Sequence, residues 1–206
     1  MQIQLDLYNS GKHPGNDVDT IQTIKMVTEQ NERLSKMVKT LLDMSELQTV
    51  GRDETIIVNA LVDEVLADLE PLAQEKNIKL IGKCNDVNMV GSDILIYRLV
   101  YNLVENAIKY NHSGGQVSVE AYQREKQVYL SVKDTGNGIP EELKERVFEP
   151  FFRVDKSRSR ELGGVGLGLA LVNEIVRVHD GSIAIRPNPS GGTIIEVEFA
   201  VNRTTA

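Results

Sequence analysis

The stretch "NLVENAIKYN", residues 102–111, lies in an apolar run that reads as a core helix, yet Asn102, Asn106 and Lys109 recur at i, i+4 and i+7 and so share one face. A fold that contains this helix must bury one side of it and give the other something polar to meet. Asparagine offers a carbonyl oxygen to a hard cation, and lysine a point charge to phosphate. The same spacing also suits the polar edge of an ordinary amphipathic helix, and the segment alone does not separate the two readings.

The rest of the chain supplies irregularly ordered elements. From Asp19 to about Leu47, Ile24, Val27, Leu34, Val38 and Leu41 follow helical spacing, interrupted at Asn31 and widened by Met37, Met44 and Leu47. One helix cannot bury such a stripe, so this segment is expected to belong to a bundle or coiled coil formed by dimerisation. Ahead of it, "MQIQLDLY" alternates like a strand or a frayed helix end, and "NSGKHPGND" is turn-rich. The pattern breaks at Gly51, which predicts a boundary between residues 1–50 and 51–206.

Beyond Gly51, "TIIV" predicts a strand, followed by a helix capped by Asn59 that runs to about Glu75 and bends or breaks at Pro71. "IKLIGK" and "VNMV" read as strands, and "QVSVEAY" with "VYLSVKD" as an antiparallel pair. "IPEELKERVF" has the proline and glutamates of a helix start, and "LGLALVNEIVRVH" is a second helix. "SIAIRP" and "TIIEVEFAV" close the chain as strands joined by "NPSGG". Strands and helices that do not alternate regularly predict an α+β fold, a two-layer sandwich with helices on one face of a mixed sheet.

Composition narrows the function classes. With 206 residues, 41% of them hydrophobic and 26% charged, the chain is globular. A net charge of −7 argues against nucleic acid as a partner, because phosphate backbones require a broad basic surface. Cys84 is alone, so neither a disulfide framework nor a cysteine zinc site is expected. The chain has no membrane-length apolar run and no signal peptide, and is expected to be cytoplasmic.

Three further motifs follow the helix. In "DTGNGIP", Asp134 is an acceptor able to select an exocyclic amine, and Gly136 and Gly138 let backbone approach a flat ligand; a tight turn explains them equally. "FEPFFRVDKSRSR" gathers Arg153, Lys156, Arg158 and Arg160 in an acidic protein, with Phe148, Phe151 and Phe152 as anchors to the core. It reads as a phosphate lid or as a solvated charge run. "ELGGVGLGLAL" puts Gly163, Gly164, Gly166 and Gly168 at a helix start, an anion site or a flexible hinge. It is neither a P-loop nor a dinucleotide fingerprint, since Leu169 stands where the third glycine counted from Gly164 would be.

Together and in this order, the four motifs resemble the ATP-binding domain of sensor histidine kinases, a superfamily shared with gyrase, a heat-shock chaperone and a mismatch-repair ATPase. The resemblance covers Gly51 to Val201. It implies that superfamily's α/β sandwich, with Mg-ATP between the long helix and the lid. Asn106 would then ligand Mg2+, while Asn102, Lys109 and Tyr110 approach the phosphates or ribose. Asp134 would read the adenine amine, with Gly136, Gly138 and Ile139 shaping the base pocket and Thr193 near the base. The backbone of Gly164, Gly166, Leu167 and Gly168 would hold phosphates, beside Phe152, Lys156 and Arg158 of the lid.

"NERLSKMVKTLLDMSELQTV" resembles the second helix of the same kinases' dimerisation and phosphoacceptor hairpin, which implies a homodimer and a response regulator as partner. The family's acceptor motif is absent: His13, His112 and His179 all lie in other settings. The chain is therefore expected to begin downstream of the acceptor histidine and not to autophosphorylate by itself. A hydrolysing member of the superfamily is the rival. Those relatives place a glutamate where this chain has Asn102, and Glu105, next to Asn106, is expected to point off the shared face. A non-catalytic docking module is the other alternative.

Overall fold

The computed structural model describes residues 17–154 and 165–201; "MQIQLDLY" and His13 lie outside them. The first element, α1 (Asp17–Glu46), has two sides of different fate. Leu47, just past its end, is fully buried, and Met44 and Val50 pack beside it against the core. Ile24, Val27, Leu34, Val38 and Leu41 remain 45–60% exposed, an apolar stripe that the other described residues do not cover.

A short hairpin-like sheet pairs β1 (Glu54–Ile57) with β3 (Asn88–Gly91) antiparallel. Between them lie α2 (Val58–Glu75) and β2 (Lys79–Cys84). Asn59 does not cap α2: Ile57 is the N-cap residue and makes no side-chain bond, while Asn59 Nδ2 donates to Asp86 Oδ1 at 3.3 Å. The strand leads straight into the helix, and the Val58 N–H donates to the Val87 carbonyl (2.9 Å), so part of the capping comes from neighbouring backbone. Pro71 does not interrupt α2 either. The carbonyl it deprives of a partner belongs to exposed Ala67, where water can serve.

The main sheet has the order β2-β4-β5-β7-β6, built from β2, β4 (Gln116–Arg124), β5 (Gln127–Asp134), β6 (Ser182–Pro187) and β7 (Thr193–Ala200). Only β2 and β4 run parallel, so the sheet is mixed, as expected. Alternation decides its faces. Val117, Val119, Val128, Leu130, Val132, Val197 and Phe199 are buried toward the helices, while Glu120, Tyr122, Tyr129, Glu196 and Glu198 are half-buried on the other face.

Helices α2, α3 (Asp93–Lys109) and α4 (Gly168–Val178) form the second layer. Along α3, Leu95, Ile96, Leu99, Val100, Leu103, Val104, Ala107 and Ile108 are buried, which leaves the remaining strip to Asn102, Asn106 and Lys109. Each such leucine or isoleucine contributes about 1.5–3 kcal/mol by leaving water. The start of α3 is held from α4. His179 Nε2 accepts from the Ser92 N–H (3.1 Å), which requires its Nδ1 to carry the proton, and Nδ1 bonds the Ile175 carbonyl at 2.9 Å.

The segment "IPEELKERVF" is not one helix. It forms two single 3₁₀ turns, Glu141–Leu143 and Arg146–Phe148, with only Val147 buried among their residues. Too few apolar side chains face the core to hold a full helix against it.

Candidate functional site

A cleft of about 640 Å³ opens between the C-terminal half of α3, the end of β5, the start of β7 and the two stems of the segment 155–164. Asn102, Asn106 and Lys109 line one wall. Asn102 Nδ2 donates to the Arg98 carbonyl at 2.7 Å, which fixes its amide and directs Oδ1 toward the start of α4. A side chain at Gly168 would stand 3.0 Å from that oxygen and 3.6 Å from Asn106 Nδ2, so glycine permits the close approach of the two helices. Glu105 also lines the cleft and does not point off this face: its carboxylate meets Lys109 Nζ at 2.7 Å, one turn along α3. Neighbours on a helix are only about 100° apart, so a long side chain beside Asn106 still reaches the same opening.

Asp134, at the end of β5, belongs to the same lining. Its Oδ1 accepts from the Gly136 N–H (2.7 Å) and the Thr193 N–H (3.2 Å), and its Oδ2 has no hydrogen bond among the described residues. Burial raises the pKa of this carboxyl, against the pull of those two N–H donors. The turn is built around missing side chains. A Cβ at Gly192 (φ 86°) would lie 2.3 Å from the Asp134 carbonyl, and one at Gly136 would lie 2.6 Å from the Tyr110 carbonyl. Asn188 Nδ2 donates to the Asp134 carbonyl (2.7 Å), and the Asn137 N–H to that of Tyr110 (3.4 Å). These bonds tie the end of β5 to β7 and to the C-cap of α3, so the Asp134 wall and the Asn106 wall hold fixed relative positions. Val132, Ile195, Leu103 and Ala107 give the cleft its apolar lining.

The stems of the basic loop stand side by side, with the Phe151 N–H donating to the Gly166 carbonyl at 2.8 Å. Gly166 (φ 79°) has no room for a side chain, since a Cβ would come within 2.7 Å of the Phe152 carbonyl. The three phenylalanines are not all core anchors. Phe151 is 52% exposed, Phe148 and Phe152 are half-buried, and Val147, just before them, is buried. Phe152 lines the cleft, with the Arg146 guanidinium 4.4 Å above its ring.

The model of the histidine kinase-, DNA gyrase B-, and HSP90-like ATPase family matches residues 91–203, more than half of the chain. The chain belongs to this family. Among its relatives, the sensor-like histidine kinase SenX3 of Mycolicibacterium smegmatis is 36% identical over 183 residues, covering 86% of this chain and 47% of that protein. The sensor histidine kinase RppB of Synechocystis is 34% identical over 180 residues, covering 85% and 40%. The chain thus spans less than half the length of either. The solved histidine kinase ThkA, in complex with the response regulator TrrA, superposes with a TM-score of 0.74 at 25% identity, covering 97% of this chain and 56% of that one. The fold is that of a sensor histidine kinase catalytic domain.

Within this ATP-binding family fold, the cleft brings together Asn102, Asn106, Lys109, Tyr110, Asp134, Gly138, Ile139, Phe152, Gly166, Leu167, Gly168 and Thr193. Gly136 shapes the turn from behind. Lys156, Arg158 and Gly164 lie outside the described residues. Sequence reasoning missed Val132 and Ile195, although their inward positions in alternating strands were a usable signal, and Gly192, which shares "GGT" with Thr193. It also missed Thr40, which reaches the cleft from α1 and which no local pattern marks.

Proposed function

We propose that the chain binds Mg-ATP in this cleft and serves as the catalytic part of a sensor histidine kinase. The γ-phosphoryl group would pass to a histidine nitrogen and then to an aspartate of a response regulator. The observation that carries the reading is the convergence of Asp134 with Asn102, Asn106 and Lys109. Segments about thirty residues apart supply to one cleft an acceptor suited to an exocyclic amine and groups suited to metal and phosphate, with apolar side chains in the same lining.

The residues present suit the ligands. Asp134 Oδ2 is open to the exocyclic amine of adenine, and Val132 and Ile195 would flank the base. Among the described residues no three His, Cys, Asp or Glu side chains cluster as metal ligands. Mg2+ would be held by Asn106 and the nucleotide's own phosphate oxygens, in keeping with its habit of arriving with phosphates and retaining water. It would neutralise charge developing on the phosphates. Lys109, the N-terminus of α4 and the lid would orient the terminal phosphate, so that catalysis rests on positioning and electrostatics.

Neither described histidine suits the acceptor role. His179 is buried with both ring nitrogens engaged, and His112 is exposed in the turn after α3, on a different element from the helical stripe. We therefore assign the acceptor to a histidine other than these. The exposed stripe of α1 supports a homodimer through this helical segment, with the boundary to the catalytic unit at Gly51. A reaction that uses ATP and a response regulator supports a cytoplasmic location for the chain. Among the described residues no helix is long and apolar enough to cross a membrane.

The test is to supply the histidine-bearing hairpin of a sensor kinase with radiolabelled ATP. Acid-labile label should appear on the hairpin with the wild-type chain and fall at least about 100-fold with Asn106→Ala. Equal labelling by both proteins would overturn the assignment. Hydrolysis has one observation in its favour, the position of Glu105 on the cleft wall. Its ion pair with Lys109 opposes that role, because it holds the carboxylate against an ammonium on its own helix rather than against an attacking water. Phosphate release that disappears in Glu105→Gln would favour hydrolysis instead.

A further inference from the structure

The Glu105–Lys109 ion pair lies in the described lining of the cleft. Lys109 and Arg153 bring positive charge to the described lining, and Glu105 and Asp134 bring negative charge, so these four side chains sum to zero. The pair itself is tight, 2.7 Å, with both side chains only 14–16% exposed. It is also braced. Tyr101 lies one turn before Glu105, stacks on Tyr97 at 6.0 Å, and Tyr97 donates to Asp68 of α2. The Glu105 carboxylate is close enough to Tyr101 to raise its phenol pKa, second only to burial. A carboxylate held beside the phosphate end of a nucleotide cleft is an unexpected choice, because it repels the ligand.

We propose that Glu105 is a specificity-determining residue that makes the cleft prefer metal-bound nucleotide to metal-free nucleotide. This rests on the reading of the cleft as an ATP site. The carboxylate offsets the Lys109 ammonium, so the wall beside Asn106 presents no net positive charge to phosphate. Metal-free triphosphate carries more negative charge than its Mg2+ complex, and Coulomb repulsion from a fixed carboxylate grows in proportion. Glu105 therefore penalises the metal-free form more. The same contact keeps Lys109 Nζ at the cleft wall when no ligand is bound, so the ammonium that greets Mg-ATP is already placed.

Calorimetric titration of the wild type, Glu105→Gln and Glu105→Asp with ATP, in Mg2+ and in excess chelator at low salt, tests this. Glu105→Gln should bind metal-free ATP about tenfold more tightly and Mg-ATP less than about threefold more tightly, so the preference for the metal form shrinks. Glu105→Asp keeps the charge and should keep most of the preference. Equal changes in both forms, or a preference unchanged in Glu105→Gln, would reduce Glu105 to a helix-stabilising partner and overturn the proposal. Loss of binding in both forms by a Glu105→Gln protein that melts like the wild type would also overturn it. Failure of the wild type to bind ATP in either form would instead overturn the ATP-site reading beneath it.

Discussion

Asp134 is a largely buried carboxyl in the cleft lining. Burial raises its pKa above that of an exposed aspartate, while the Gly136 and Thr193 N–H groups lower it less than burial raises it. A carboxyl whose folded pKa is raised stabilises the fold below its ordinary range of about 3.9, and that contribution fades as pH rises through the folded value. Asp134→Asn removes the buried charge. The melting temperature of the wild type relative to Asp134→Asn should therefore be higher near pH 3 than near pH 7, and a difference that grows with pH instead would contradict this. Gly192→Ala is expected to cost more than about 2 kcal/mol in chemical denaturation, because a Cβ at φ 86° would meet the Asp134 carbonyl at 2.3 Å. Both residues were partly legible. Asp134 stood in a motif, and Gly192 sat in "GGT", but that the two meet depends on β5 pairing with β7, a contact some sixty residues apart that no local pattern encodes.

At the scale of elements, α3 is the reference for the site, and its start is held by the His179 imidazole at Ser92 and by the Glu54 carboxylate, which accepts from the Asp93 N–H at 3.2 Å. His179 fills a space in which a Cβ at Gly91 would stand only 3.0 Å away, packs edge-on to Phe199 at 5.9 Å, and accepts the Ser92 N–H. His179→Ala should destabilise the protein by about 2–4 kcal/mol, the sum of a cavity and an unpartnered N–H. Because Asn106 and Lys109 lie several turns away, nucleotide affinity of the folded fraction should change far less than stability. A variant that loses affinity but not stability would show that His179 acts on the cleft itself. Helices with a strong apolar face, such as α3 and α4, were readable from spacing. Elements settled by tertiary contact were not: the start of α2 is capped by backbone rather than by Asn59, and residues 141–148 lack the buried face that would extend two 3₁₀ turns into a helix.

At the scale of the molecule, α1 joins two surfaces. One side reaches the cleft at Thr40 and seats Met44 on the core beside Leu47, just past the helix end; the other leaves Ile24, Val27, Leu34, Val38 and Leu41 open. An uncovered stripe of this kind favours self-association. Leu34→Ser with Val38→Ser should shift sedimentation toward the monomer while nucleotide binding persists, and a wild type that is monomeric at all concentrations would contradict the homodimer. The seating of α1 was invisible in the sequence, where Met44 and Leu47 looked like more of the same stripe; helical spacing states which residues share a face but not what covers it.

What the cleft binds decides what the chain does. Thermal unfolding of the wild type and Asp134→Ala, each with and without saturating Mg-ATP, addresses it directly. Ligand at about 100 times its dissociation constant adds about 2.7 kcal/mol, a rise of about 2–4 °C for a domain of this size. That rise is expected in the wild type and should vanish in Asp134→Ala. A wild type that melts at the same temperature with and without Mg-ATP, or a rise undiminished in Asp134→Ala, would contradict the assignment of this cleft.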